Sequence, residues 1–110
     1  MPQWTWLVTG ASSGQGLEIT LAALNAGHRV VATARNVDRA KAEHPEVSSL
    51  GGHWLQLDVT SDDAEAVVER AVREHGVNVL VNNAGYGLRG VLEDLRYAPS
   101  RHRKSNTVDH

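Results

Sequence analysis

The sequence lacks cysteine and phenylalanine altogether, and it has few prolines and a single methionine. Without cysteine there can be no disulfide, no thiolate nucleophile and no thiolate metal site. The 11 basic and 13 acidic residues nearly balance, so no strong net charge favours nucleic acid or a membrane surface as a partner. No apolar run is long enough for a membrane span, and no signal-peptide pattern is present. We therefore expect a soluble, cytoplasmic protein with one small domain.

Patterns typical of metal or acid–base sites are missing as well. The six histidines lack the i, i+4 spacing of a helical metal site; they stand at positions 28, 44, 53, 75, 102 and 110. The adjacent acids Asp62-Asp63 and Glu93-Asp94 suit the charge preference at helix starts better than an acid–base pair. We predict no metal site and no catalytic residue in this chain.

A glycine-rich segment, Thr9-Gly10-Ala11-Ser12-Ser13-Gly14-Gln15-Gly16, stands between an apolar run and a segment of helical periodicity. The unpaired N–H groups and the dipole at a helix start favour an anion. We interpret Gly10 as the residue of a tight turn, Gly14 as allowing close approach of a pyrophosphate, and Gly16 as allowing close helix packing. The alternative is an ordinary glycine-rich turn, since the spacing differs from the general dinucleotide fingerprint.

Apolar runs alternate with amphipathic segments over the first 81 residues. Strands are predicted at residues 4–8, 28–34, 53–59 and 77–81. Helices are predicted at residues 17–26, 36–44 and 60–75, with Asn36 as one cap and Thr60 with Asp63 as a capping box. Residues 46–52 are predicted as a loop. This alternation predicts an α/β fold with a parallel sheet.

Four motifs follow the successive predicted strands: the glycine segment, Arg35, Asp58-Val59 and Asn82-Asn83-Ala84-Gly85. In this register they resemble the short-chain dehydrogenase/reductase family, and in particular its retinol- and hydroxysteroid-dehydrogenase-like branch. The resemblance covers residues 4–95, the N-terminal half of the family's usual length. It implies a Rossmann-type sheet of strand order 3-2-1-4, truncated after the fourth strand, with a cofactor crevice between strands one and four.

The resemblance also implies which residues bind a nicotinamide dinucleotide. The glycine segment would hold the pyrophosphate, Asp58 and Val59 the adenine, and the segment after strand four the ribose, while Asn82 would brace the sheet. Gln15 departs from the aliphatic residue usual in the family. The full predicted set is Gly10, Ser12, Ser13, Gly14, Gln15, Gly16, Arg35, Asn36, Asp58, Val59, Asn83, Ala84 and Gly85.

Cofactor preference is predicted from charge at the end of the second strand. Enzymes that prefer NAD usually carry an acid there, whereas this chain has Ala34 followed by Arg35. A guanidinium can hold a 2′-phosphate in a forked, charge-assisted contact. We expect NADP(H) rather than NAD(H).

The family's catalytic tyrosine and lysine, four residues apart, have no counterpart. Tyr86 is followed by Gly90 at that spacing, and Tyr97 by Arg101. We expect the cofactor-binding portion of a short-chain oxidoreductase that is inactive by itself. The alternative is a non-catalytic interaction module that pairs with a full-length relative; a basic tail that binds phosphate polymers is a third reading.

The last residues break the pattern of alternating strands and helices. Residues 96–110 are polar and basic, and we predict a disordered tail after a half-domain spanning residues 1–95. Strand four would then be an uncovered apolar edge, which predicts self-association through that strand.

Overall fold

Strands and helices alternate along the chain in the computed structural model, which describes residues 3–83 and the backbone of residues 104–107. The strands are β1 (Thr5–Val8), β2 (Arg29–Ala34), β3 (His53–Gln56), β4 (Val79–Asn82) and β5 (Lys104–Thr107). The helices are α1 (Gly14–Asn25), α2 (Val37–Glu43), α3 (Pro45–Ser49) and α4 (Ala64–His75). The four strands and three helices predicted in residues 4–81 are all present.

All strand pairs in the described sheet are parallel, and the order is β3-β2-β1-β4-β5. The predicted order 3-2-1-4 is confirmed. Leu7 of β1 pairs with Val31 on one side and with Leu80 on the other. β2 and β4 lie on opposite sides of β1, so the strand order reverses there. A crevice opens at this point, beyond the carboxyl ends of the strands.

The strand β5 corrects two expectations about the end of the chain. It pairs with β4 in the register Val81 to Asn106, so the predicted uncovered edge at β4 is wrong. Residues 104–107 form a strand, which contradicts a tail that lacks structure throughout residues 96–110. The proposed boundary at residue 95 lies outside the described residues.

Alternate residues of the central strands enter two separate cores. Val8, Ala32 and Val81 pack on one face with residues of the first three helices. Leu7 and Leu80 pack on the other face against α4. Apolar side chains on both faces are the pattern expected of a buried parallel strand, and the two helical layers make a three-layer α/β fold.

Helix boundaries differ from the predictions in two places. Residues 46–52 are not all loop, because Pro45 starts the short helix α3 and Val47 is fully buried. The predicted capping box at Thr60 is wrong: its hydroxyl donates to Asp58 Oδ1 at 2.6 Å, and α4 begins only after Asp63. The Thr60 side chain is therefore engaged in a local turn instead of a cap.

Candidate functional site

The glycine segment forms the turn from β1 into α1. Gly10 and Gly14 have φ values of 62° and 54°, a backbone conformation that residues with a Cβ rarely adopt. Ser13 is the N-cap residue, but its side chain makes no capping hydrogen bond, and the first turn contains no acid. The amide groups at this helix start are therefore available to an anion, and the dipole favours one. A Cβ at Gly14 would meet nothing within 4 Å, so its outer side is open.

Gly16 lies where α1 packs closest to the turn. A Cβ built there would be 2.1 Å from the Gly10 carbonyl oxygen and 2.7 Å from Asn83 Nδ2. Asn83 donates through the same nitrogen to the Gly10 oxygen at 3.3 Å, while its buried Oδ1 has no hydrogen-bond partner in the described part of the chain. Asn83 thus holds the turn in place through its hydrogen bond to Gly10, and its Oδ1 remains an acceptor without a donor among the described residues.

Asn82 has the bracing position expected of it. It is 2% exposed, and its Oδ1 accepts a hydrogen bond from the Thr9 hydroxyl at 3.1 Å. The Thr9 amide donates to the Val81 carbonyl at 3.0 Å. These bonds tie the end of β1 to the end of β4 and hold the turn at the carboxyl edge of the sheet.

A cleft of about 530 Å³ opens beside this turn. The turn forms one wall, the end of β2 with the first residues of α2 forms the second, and the segment after β3 forms the third. The lining residues are Gly10, Ser12, Ser13, Ala34, Arg35, Asn36, Arg39, Ala40, Glu43, Leu57, Val59 and Thr60. Backbone, hydroxyl, apolar and charged groups converge here, as in a site for a nucleotide-sized ligand.

The charged lining of the cleft comes from the end of β2 and from α2. Arg35 is exposed and forms no ion pair with any described residue. Ala34, which precedes it, is 5% exposed and brings no carboxylate to this position. Arg39 and Glu43 pair with each other, Nε to Oε2, at 3.3 Å. The cleft therefore offers one unpaired guanidinium to an anionic ligand.

Asp58 stands beside the cleft, between two lining residues. Hydrogen bonds from the Thr60 hydroxyl and the Thr60 amide to its carboxylate lower the pKa of Asp58, and the positive charge of Arg35 adds a smaller effect in the same direction. The group is fully exposed, so it stays an ionised acceptor at neutral pH and can receive a hydrogen bond from a ligand amino group.

Most of the predicted site residues are brought together. Six line the cleft, namely Gly10, Ser12, Ser13, Arg35, Asn36 and Val59. Gly14, Gln15 and Gly16 form the start of α1, Asp58 adjoins Val59, and Asn83 lies under the turn. Ala84 and Gly85 lie outside the described residues. The structure supplies geometry for these positions, and their roles remain predictions.

The sequence reasoning missed three polar residues of the cleft: Arg39, Glu43 and Thr60. A signal for two of them was present, because Arg39 lies three residues after Asn36 and Glu43 four residues after Arg39, within a predicted helix. Such spacing places them on one face of that helix. Thr60 was assigned to a cap that does not form.

The fold and the crevice define the class first. A parallel sheet whose strand order reverses at β1, with a glycine turn into α1 at that point, is a Rossmann-type domain. The family follows from comparison with known proteins: the short chain dehydrogenase model matches residues 5–102. The chain belongs to the short-chain dehydrogenase family, and the predicted resemblance is confirmed.

Relatives are similar over most of this chain but over a minor part of their own length. An oxidoreductase of Passalora fulva, claN, is 58% identical over 93 residues, which are 84% of this chain and 43% of the relative. Bovine retinol dehydrogenase 8 is 38% identical over 100 residues, covering 86% of this chain and 32% of the relative. The chain thus spans less than half the length of these curated relatives.

Solved structures of the family agree with the fold. A short-chain dehydrogenase of Streptomyces avermitilis has a TM-score of 0.63 at 40% identity, covering 74% of this chain and 31% of that one. A complex of Pseudomonas aeruginosa RhlG with NADP has a TM-score of 0.65 at 32% identity, covering 74% and 33%. The family's fold is thus one that binds a nicotinamide dinucleotide.

Two other kinds of feature are absent from the described residues. No helix among them is long and apolar enough to cross a membrane. In the same part of the chain, no three histidine, aspartate or glutamate side chains gather as a metal site would require.

Proposed function

We propose that this chain is the NADP(H)-binding portion of a short-chain oxidoreductase. The observation that carries the proposal is the cleft shared by the glycine turn and the end of β2, where Arg35 has no ion-pair partner among the described residues and Ala34 leaves no carboxylate. The carboxylate that favours the ribose hydroxyls of NAD is replaced by a cation suited to a 2′-phosphate.

Each part of the site has a role in this proposal. The helix start at Gly14–Gly16 binds the pyrophosphate through its amide groups. Asp58 accepts the adenine amino group, Val59 packs on the ring, and Arg35 with Asn36 holds the 2′-phosphate. Asn83, Ala84 and Gly85 border the adenosine ribose. The bound cofactor supplies hydride chemistry, and the protein supplies binding and orientation.

The proposal includes binding without turnover. A short-chain dehydrogenase uses a tyrosine with a lysine four residues later, and the 110 residues contain no such pair. We expect this chain to bind NADPH and to leave its absorbance unchanged when carbonyl compounds are added. A complete relative would transfer hydride between the nicotinamide and a carbonyl or alcohol carbon.

Isothermal titration with NADP⁺ and NAD⁺ tests the proposal. We expect tighter binding of NADP⁺, and the Arg35→Asp variant should reverse the preference, because a carboxylate repels the 2′-phosphate and accepts ribose hydroxyls. Equal affinity of the unchanged protein for both cofactors, or a preference that survives the substitution, would contradict the assignment.

The alternative is a non-catalytic module that pairs with a full-length relative. In the described sheet β5 occupies the edge of β4, so that edge is not open to such a partner, and no contact of the described residues specifically favours the module. We retain cofactor binding as the proposed function.

A further inference from the structure

Arg39 and Glu43 lie in the same cleft as Arg35, yet cofactor binding as described above uses neither. Their side chains are largely exposed, at 74% and 50%, and the ion pair between them measures 3.3 Å. Exposed pairs of this kind contribute little to stability, on the order of 0–1 kcal/mol. Arg39 can therefore exchange Glu43 for another anionic partner with little loss of stability.

The order of the two charges also argues against a stabilising role. In Arg39–Glu43 the base comes first along the helix, and an acid four residues before a base is the more favourable arrangement. The chain contains that favourable arrangement elsewhere: Glu69 and Arg73 of α4 pair at 2.6 Å and do not line the cleft. The two pairs are thus similar in exposure and spacing but differ in order and location.

Because Arg39 and Glu43 line the cleft, their ion pair affects how the cleft binds an anionic ligand. Glu43 brings a negative charge to the cleft, and Arg39 compensates it while the ion pair lasts. A phosphate monoester carries about −1.5 to −2 at pH 7, more than a carboxylate, and it presents three acceptor oxygens. A 2′-phosphate therefore competes well with Glu43 for the Arg39 guanidinium.

We propose that Arg39 and Glu43 act as an exchangeable ion pair that sets the affinity of the cleft for a 2′-phosphorylated nucleotide. A 2′-phosphate takes Arg39 from Glu43 and is held by Arg35 and Arg39 together, while the released Glu43 carboxylate opposes it. Arg39 raises the selectivity for the phosphorylated cofactor, and Glu43 limits it. This inference rests on the proposed function, since it concerns the same nucleotide site.

Two nucleotide fragments isolate the proposed contact. Adenosine 2′,5′-bisphosphate and adenosine 5′-monophosphate differ only in the 2′-phosphate, and their affinities for the 110-residue chain can be compared by calorimetry. Because one charge interaction is changed at the surface, we expect Glu43→Gln to tighten bisphosphate binding about three- to tenfold and Arg39→Gln to weaken it by a similar factor. Monophosphate affinity should change less than about twofold in both variants, since the fragment lacks the group concerned.

The second ion pair supplies a matched control. Glu69→Gln removes a carboxylate from an i, i+4 pair of the same kind outside the cleft, so it should leave the affinities for both fragments unchanged. An equal response to Glu69→Gln and Glu43→Gln would show an effect of net charge and overturn the inference.

The remaining outcomes separate the two proposals. If the unchanged chain prefers the bisphosphate but neither Glu43→Gln nor Arg39→Gln alters that preference, the ion-pair inference fails and the proposed function stands. If the unchanged chain binds the two fragments equally, the proposed function fails, and the inference fails with it.

Discussion

Gly16 shows how a single hydrogen atom in place of a side chain permits the geometry of the site. Its Cα stands so close to the turn that a Cβ would meet backbone atoms of Gly10 at 2.1 and 2.9 Å. Backbone cannot move aside as the end of a flexible side chain can. The approach of α1 to the turn therefore depends on glycine at this position.

We expect Gly16→Ala to lower the free energy of unfolding by about 1–3 kcal/mol, the usual effect of overpacking, and toward the upper end because the contacts are with backbone. Urea denaturation followed by tryptophan fluorescence measures the change. Gly14→Ala is the comparison: its Cβ has open space, and only the left-handed backbone is strained, at about 1–2 kcal/mol. Equal stability of the Gly16→Ala variant and the unchanged protein would contradict the close packing.

The pKa of Asp58 depends mainly on one neighbouring residue, Thr60. The Thr60 hydroxyl makes the largest contribution to lowering the pKa of Asp58, so Thr60→Val should raise that pKa toward the ordinary aspartate value. An NMR titration of the Asp58 carboxyl carbon would follow it. A Thr60→Ser variant retains the hydroxyl and should keep the lowered pKa; a similar value in all three proteins would refute the assigned cause.

The sign of the pH effect follows from the direction of this shift. A carboxyl whose pKa is lower in the folded state stabilises the protein above the unfolded-state pKa, and the stabilisation is lost as the pH falls through the folded-state pKa. In Thr60→Val this acid-side loss should become smaller. The effect on stability is small in either case because Asp58 is fully exposed.

The element that presents the charged wall of the cleft is the seven-residue helix α2. So short a helix has little stability of its own, and it depends on its cap and on tertiary packing. Asn36 is the cap, with its Oδ1 accepting the Arg39 amide at 3.1 Å, and Ala40 packs into the core. The first turn of α2 thus determines where Arg39 stands.

We expect Asn36→Ala to lower stability by about 1 kcal/mol, as is usual on loss of such a cap. Asn36→Ser and Asn36→Asp retain a capping oxygen and should preserve the melting temperature. They should differ in cofactor affinity, because the aspartate adds a negative charge to the cleft and weakens NADP⁺ binding. Equal NADP⁺ affinity in the serine and aspartate variants would show that position 36 does not face the 2′-phosphate.

At the scale of the whole molecule, the sheet needs its last strand to cover an apolar neighbour. Residues 79–82 of β4 are all buried, and β5 pairs along their full length. An uncovered parallel strand of this composition would present unpaired backbone groups to other chains. We therefore expect residues 104–107 to protect β4 from pairing with other chains.

Removal of residues 104–110 should increase self-association, because it uncovers β4. Sedimentation velocity over a range of concentrations measures the distribution of monomers and oligomers, and the 110-residue chain serves as the reference. Identical distributions for the two proteins would contradict a protective role of β5.

Much of this fold could be predicted because its signals are local. Buried apolar runs, glycine at turns and capping residues each report on a few neighbouring positions, and they located every strand and most helices of residues 4–81. The errors have the same origin. The capping box at Thr60 satisfied a local rule, but Asp58 took the Thr60 hydroxyl. The β5 strand was missed because its four residues have little apolar character, and their pairing with β4 is a long-range contact.

By itself, the sequence determined the alternating α/β pattern, the family, the glycine turn and the cation that follows β2, because these are properties of residue type and spacing. Only the tertiary structure decided that Arg39 and Glu43 share the cleft with Arg35, that Asn83 supports Gly10, and that β5 covers β4. Each of these depends on how the strands and helices are arranged around one sheet. Spacing along the chain does not determine which helix face or strand edge meets another, since that depends on how the elements pack.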